Sequence, residues 1–307
     1  MHLAEGTLPL VQAAGWTAVA APTLVWSLRS EKNASNDDES SSVLMAGVTS
    51  LLFAVTLLPL PVPVVGATSH ICITPVLALL VGVRRIVWPT FFVLLLQALF
   101  FAHGGLTTLG ANTFTLGVLG PLTTLTLWTV LRKCGVTSTV SLAVACGLGG
   151  LSVYVADALI LAAALSNIAD PMTTFTGVLL GFAPVQVPLA ILEAAISVGL
   201  IRTLNTRRPQ LVPDSLRVNP KPHTAIANAA VVMTTIGLAG CNYEGIDGSV
   251  FGATAESAGQ PPTASLIDLS QGEVGLATSI IVLFGLGFIA GRSWERLMRG
   301  GNDALPR

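Results

Sequence analysis

The chain has 307 residues, of which 52% are hydrophobic and only 10% are charged, and its formal net charge is −1. A soluble domain carries about 25% charged residues, so this composition excludes a soluble protein and indicates an integral membrane protein. The small net charge gives no sign of a nucleic-acid partner. The four cysteines lack C-x-x-C spacing and predict neither a disulfide framework nor a thiolate metal site.

Apolar segments long enough to cross a bilayer recur along the chain. A spanning helix needs about 20 mainly apolar residues. Nine segments are predicted to span, and the third is short and interrupted: 7–28, 43–66, 72–83, 87–103, 113–131, 138–165, 174–201, 223–241 and 272–291. The polar segment 30–42 is predicted to be a solvated loop. The sequence therefore predicts an all-α membrane protein with about nine transmembrane helices.

Basic residues alternate with the predicted spans. All 15 Lys and Arg residues follow the first, third, fifth, seventh or ninth span. Cytoplasmic loops are enriched in Lys and Arg, so the N-terminus is predicted to lie outside and the C-terminus inside. The proline-rich, basic segment 203–222 is predicted to be a cytoplasmic linker between a seven-span domain, 1–202, and a C-terminal unit, 223–307, with a two-helix hairpin and a short tail.

Three of the four histidines fall at the predicted outer face: His2, His70 and His103. His70 lies in GATSHICIT, between a proline-rich span end and the short third span, and interrupted spans often mark a substrate site. His103 opens the Gly- and Thr-rich stretch HGGLTTLGAN. The hydrogen-bonding side chains of this stretch are predicted to support metal ligands without binding the metal themselves: His103, Thr107, Thr108 and Asn112.

The dipeptide Met1-His2 can chelate one metal ion. The Met1 amine, the His2 amide nitrogen and the Nδ1 atom of the His2 ring offer three nitrogens in adjacent five- and six-membered rings, if Met1 is retained and unacetylated. One more imidazole completes a square plane, which suits Ni(II) or Cu(II) and which low-spin Co(II) can adopt. His70 is the predicted fourth donor.

Two features of the spans each have two interpretations. Asp157 and Glu193 lie inside predicted spans, where acids are usually functional, but a role in helix packing is equally consistent with the sequence. Ala14, Ala18 and Ala21 have the small-residue spacing that lets helices approach closely. This face of the first span serves either internal packing or the docking of another membrane subunit.

Four stretches together resemble the M component of cobalt/nickel energy-coupling-factor transporters, the CbiM/NikM family. They are MHLAEGTLP at the N-terminus, GATSH at 66–70, LLQALFFAHGGLTTLGANTF at 95–114 and QVPLAILEA at 186–194. The similarity covers about 1–202. The hairpin 223–292, with EGIDG in its outer loop and GEVGLATSIIVLFGLGFIAG as its last helix, resembles the two-helix N component of the same systems, here fused to the M component.

The resemblance implies a substrate-capture subunit of an ATP-driven cobalt or nickel importer in a prokaryotic plasma (inner) membrane, connected with cobalamin biosynthesis. It is not an enzyme and needs no permanently bound cofactor. Met1, His2 and His70 are implied to hold the transported Co(II) or Ni(II). A membrane coupling subunit and cytoplasmic ATPases are implied as partners, since the sequence contains no P-loop motif. The alternative is a self-sufficient secondary permease that uses Asp157 and Glu193 for proton coupling.

Overall fold

The structure is a computed structural model that describes residues 2–37, 39–57, 60–62, 67–217, 244–245 and 247–263, with isolated positions between 281 and 292. Met1, the predicted helix 223–241 and most of 272–291 lie outside the described residues. Within these residues the fold is mostly helical, as predicted. The helices are α1 (Leu10–Asp37), α2 (Glu39–Leu57), α3 (Thr74–Val81), α4 (Val87–Phe101), α5 (Leu109–Phe114), α6 (Gly120–Lys133), α7 (Ser138–Ala164), α8 (Pro171–Arg207) and α9 (Ala253–Ser257).

Three of the described helices are long and apolar enough to cross a membrane: Leu109–Lys133, Ser138–Ala164 and Pro171–Arg207. The first consists of α5, a π-helical turn at Thr115–Leu119 and α6. α2 and α4 are shorter but also apolar. A helix pairs its backbone polar groups internally, which is what hydrocarbon demands of a spanning segment. The architecture is therefore that of a helical membrane protein.

Buried apolar side chains form two clusters inside the helical body. One cluster joins α2, α3 and α4 to the first third of α7 and the second half of α8. The other lies beside the start of the chain and includes Leu3, Leu116, Phe182 and Phe251. Leu3 directly follows His2, so the second cluster anchors the first residues of the chain to the helical body.

The C-terminal part of α1 meets the connection between α3 and α4 at one end of the body. The Arg85 guanidinium binds the Glu31 carboxylate with an Nε–Oε2 distance of 2.8 Å. Arg84 stacks over the Trp26 ring, 4.3 Å from its centroid. Since α1 begins near the histidines and ends here, these basic residues lie at the opposite end of α1 from His2.

A short three-stranded sheet precedes His70 and was not predicted. β1 (Leu60–Val62) pairs antiparallel with β2 (Ala67–Ser69). β2 in turn pairs in parallel with β3 (Glu244–Gly245) from the C-terminal part of the chain. The sheet pairs backbone groups of the segment between α2 and α3, which would otherwise lie unpaired near the apolar body.

Three segments differ from their predicted form. The segment 30–42 was predicted to be a loop, but α1 continues to Asp37 and α2 starts at Glu39. Ser, Glu, Lys and Asn are tolerated in a helix, so an apolar helix can continue through polar residues. The predicted third span is the eight-residue helix α3, about 12 Å long and buried throughout. α8 runs to Arg207, beyond the predicted 201, and the following Val212 and Leu216 are buried.

Candidate metal site

The first residues of the chain are held in place by the HGGLTTLGAN stretch. The Leu3 backbone N–H donates to Asn112 Oδ1 at 2.9 Å, and Asn112 Nδ2 donates back to the Leu3 carbonyl at 3.1 Å. The Thr108 hydroxyl donates to the same carbonyl at 2.7 Å. Both backbone groups of Leu3 are thus paired with side chains from the start of the α5 region, which fixes the position of the preceding His2.

Glu5 is a second anchor of this segment and was missed in the sequence. Its carboxylate accepts hydrogen bonds from the backbone N–H groups of Leu106 at 2.5 Å and Thr107 at 3.2 Å. The Thr107 hydroxyl accepts a hydrogen bond from the Gly6 N–H at 3.3 Å. Glu5 is 5% exposed. The sequence offered one signal for this role, an acid in an apolar N-terminal segment. Such an acid is a candidate for burial, and a buried carboxylate requires hydrogen-bond donors.

His70 lies in a tight turn between β2 and α3. The Thr74 N–H donates to the Cys72 carbonyl at 2.5 Å, and Ile73 adopts a left-handed conformation with φ 46°. This conformation is unusual for a β-branched residue. On the other side of His70, the Ser69 hydroxyl accepts a hydrogen bond from Gln186 Nε2 at 2.8 Å. A side chain of α8 therefore helps to hold the turn in place.

The three histidines that the sequence predicts for the outer face come together although they are far apart in the sequence. The His2 Nδ1 and His70 Nε2 atoms are 3.0 Å apart. The His103 ring centroid lies 4.5 Å from that of His2 and 5.2 Å from that of His70. One nitrogen from each of the three rings lies within 4.8 Å of the others. The three rings thus form a compact nitrogen-rich group.

The distance between the His2 and His70 nitrogens suits a shared metal ion. A metal–nitrogen bond of about 2.0–2.1 Å places neighbouring nitrogens of a square plane about 2.8–3.0 Å apart. His2 is 2% exposed and His70 is 4% exposed. Burial, with smaller contributions from nearby cationic groups, lowers the pKa of the His2 imidazole well below its usual value. The lowered pKa favours the neutral form of the ring, which is the form that binds a metal.

The remaining predicted residues are not members of the histidine group. Ala14, Ala18 and Ala21 are exposed on the outer side of α1. Asp157 on α7 and Glu193 on α8 are buried inside the helical body. The structure thus brings together His2, His70 and His103 with Thr107, Thr108 and Asn112, and it leaves the small-residue face and both acids outside the group.

A helical membrane protein that brings three histidine rings together has the features of a metal-ion transporter, and the sequence establishes that class. Residues 2–211 match the family described as CbiM, cobalt uptake substrate-specific transmembrane region. The chain therefore belongs to the CbiM family and is a transporter subunit rather than an enzyme.

Relatives of the chain are named as cobalt transport proteins. The cobalt transport protein CbiM of Geobacter sulfurreducens is 33% identical over 311 residues, an alignment that covers 97% of this chain and 90% of that protein. The cobalt transport protein CbiM of Sorangium cellulosum is 38% identical over 218 residues, covering 71% of this chain and 96% of that protein. The first alignment extends beyond residue 211, into the C-terminal part of the chain.

Two crystal structures share the fold. A truncated transition metal transporter aligns with a TM-score of 0.59 at 20% identity, covering 67% of this chain and 99% of that one. A second structure of a transition metal transporter aligns with a TM-score of 0.58 at 22% identity, covering 67% of this chain and 93% of that one. The helical body of this chain is therefore an arrangement that solved transporters also adopt.

Proposed function

We propose that this chain captures Co(II) or Ni(II) at the outer face of a prokaryotic plasma (inner) membrane for an ATP-driven importer. The observation that carries the proposal is the 3.0 Å separation of the His2 and His70 nitrogens within a buried group at the start of the chain. In the nine-span topology that we propose, with the N-terminus outside, this group lies on the side from which metal arrives. The ion is cargo, and no permanently bound cofactor is needed.

The proposed ligands are four nitrogens in a square plane. The Met1 amine, the His2 amide and the His2 Nδ1 atom supply three, and His70 Nε2 supplies the fourth. His103, whose ring meets the His2 ring edge-on, is proposed to support the ligands without binding the metal. Thr107, Thr108 and Asn112 hold the N-terminal segment through the hydrogen bonds described above, so their role is indirect.

Transport further requires a membrane coupling subunit and cytoplasmic ATPases. The exposed face formed by Ala14, Ala18 and Ala21 is the proposed docking surface of the coupling subunit. Small residues on an exposed helix face allow another helix to approach closely. The proposed assembly would take the ion from the capture site to the cytoplasm at the expense of ATP.

Uptake of radioactive cobalt by cells tests the proposal. Cells that express the chain with the coupling subunit and ATPases are expected to accumulate the metal, and cells that express the chain alone are not. An inactive ATPase variant in the complete set provides the control. Undiminished uptake by the chain alone would instead support the secondary permease, in which Asp157 and Glu193 couple metal entry to protons.

We also propose that the C-terminal unit, an N-type hairpin fused to the body through the linker 203–222, holds both segments that carry the ligands. β3 pairs with β2, which ends directly before His70. The Thr263 N–H donates to the Glu5 carbonyl at 3.0 Å, and Gln260 Nε2 donates to the Gly6 carbonyl at 3.2 Å. Phe251 is buried with its ring centroid 4.4 Å from that of Phe182, which anchors these contacts to α8.

Replacing Gly6 by Ala tests the contact between the two units. Gly6 has φ +77°, and an added Cβ would overlap Thr263. Gly135 has φ +79° with open space around it, so Gly135→Ala introduces the same backbone strain, about 1–2 kcal/mol, without the clash. We expect Gly6→Ala to weaken metal binding about tenfold and Gly135→Ala to leave it unchanged, as measured by isothermal titration. Equal affinities for the two variants would contradict the holding role.

A further inference from the structure

Two polar side chains of α8 face the turn that carries His70. Gln186 and Glu193 are seven residues apart, so they lie two turns apart on one face of the helix. Gln186 binds the Ser69 hydroxyl, and the Glu193 carboxyl group accepts hydrogen bonds from the backbone N–H groups of Cys72 and Ile73. One contact lies directly before His70 in the sequence and the other lies directly after it.

The turn needs these acceptors because its backbone is buried. Cys72 is 0% exposed and Ile73 is 2% exposed, and neither N–H lies within the hydrogen-bonding ladder of α3, which starts at Thr74. A buried N–H group without an acceptor is strongly unfavourable. Ile73 is also left-handed, a conformation that a β-branched residue does not keep by itself. Glu193 thus stabilises a backbone shape that the local sequence disfavours.

Gly150 on α7 makes room for the Glu193 carboxyl group. A Cβ atom at position 150 would lie 2.5 Å from Glu193 Oε2, closer than real Cβ contacts. The carboxyl group therefore packs directly against the backbone of α7. It also contacts the turn that carries His70. α7, α8 and the turn form one rigid arrangement behind His70.

We propose that Glu193 is a positioning residue, which together with Gln186 fixes the backbone of residues 69–73 and so holds the His70 imidazole at bonding distance from the metal. The inference rests on the proposed function, because it assumes that His70 is a ligand. It gives the buried acid a role that depends on its oxygen as an acceptor rather than on an exchangeable proton. Groups that orient metal ligands in this way commonly contribute a 10–100-fold share of metal affinity.

Two substitutions of Glu193 separate the acceptor from the charge. Glu193→Leu removes the acceptor, and we expect about 10–100-fold weaker binding with a changed d–d absorption spectrum. Glu193→Gln keeps an amide oxygen that accepts the same hydrogen bonds, and we expect affinity within a few-fold of the parent with the parent spectrum. The full chain in detergent would be titrated with CoCl2 and, in separate samples, with NiCl2.

Gly150→Ala tests the same contact without changing Glu193, in case Glu193→Leu does not fold. Its added Cβ pushes the carboxyl group away from the turn, so binding is expected to weaken in the parent chain and not to weaken further in the Glu193→Leu background. Contacting residues give such non-additive effects, whereas independent ones add. Ser197→Ala is the matched control, since Ser197 is a buried polar residue one turn further along α8.

The outcomes distinguish the two proposals. If the parent chain binds neither metal, the proposed function fails. If the parent chain binds metal and a folded Glu193→Leu variant keeps its affinity and spectrum, only the positioning role is overturned. That role is also overturned if Glu193→Gln is as weak as Glu193→Leu, or if Ser197→Ala weakens binding to the same extent.

Discussion

Two alanines added before Met1 are expected to abolish tight binding of Co(II) and Ni(II) to the purified chain. The extension moves the terminal amine out of the chelate, and the His2 amide alone cannot complete it. Of the four proposed nitrogen donors, only the two imidazoles then remain. We expect at least about a thousandfold loss of affinity, equivalent to about 4 kcal/mol, measured by competition with a chelator of known affinity.

The length of the extension is chosen on chemical grounds. One added residue would place histidine third in the chain, where the amine, two amides and the imidazole form a different four-nitrogen chelate that excludes His70. Two residues place histidine fourth and prevent both arrangements. The control carries the same two alanines after Arg307. Parent-like affinity in the chain with the N-terminal extension would exclude the Met1 amine as a ligand.

Replacing His70 by Ala is expected to have the second-largest effect. It removes the fourth donor, so a water molecule or an anion has to take its place, and the d–d bands shift. We expect about a hundredfold loss of affinity, measured by titration with absorption detection. The spectrum is the decisive measurement, because a merely weakened site keeps its band positions.

His103→Ala is the matched comparison for His70→Ala. Both rings contact the His2 ring at similar centroid distances, 4.5 Å for His103 and 4.7 Å for His70. We expect His103→Ala to keep one metal per chain and the parent spectrum, with affinity lowered about tenfold. If His103→Ala shifts the bands and His70→Ala does not, the assignment of the fourth ligand is wrong.

The helical class and the grouping of the histidines could be predicted because each follows from local chemistry. Long apolar runs such as Ser138–Ala164 are visible in the sequence as candidate spans. The alternation of basic residues indicated that His2, His70 and His103 end on one side, and the structure brings their rings together. Residue type and topology were sufficient for this part of the site.

The hydrogen bonds that hold the site could not be predicted, because they depend on contacts across more than 100 residues. Glu5 meets the backbone of Leu106, and Gln186 meets Ser69. Nothing near either residue in the sequence marks its partner. The sheet was missed for a similar reason, since β2 and β3 are each only two or three residues long and belong to opposite halves of the chain.

Burial of the histidine group has a kinetic consequence. His2 and His70 are almost fully enclosed, and the residues after His2 are tied down through Leu3 and Glu5. If the group holds the cargo ion as proposed, the described residues enclose that ion, and we expect the N-terminal segment to detach from the HGGLTTLGAN stretch before the ion leaves. The residence time of the cargo would then be set by the opening rate of a few hydrogen bonds rather than by the lifetime of a metal–nitrogen bond.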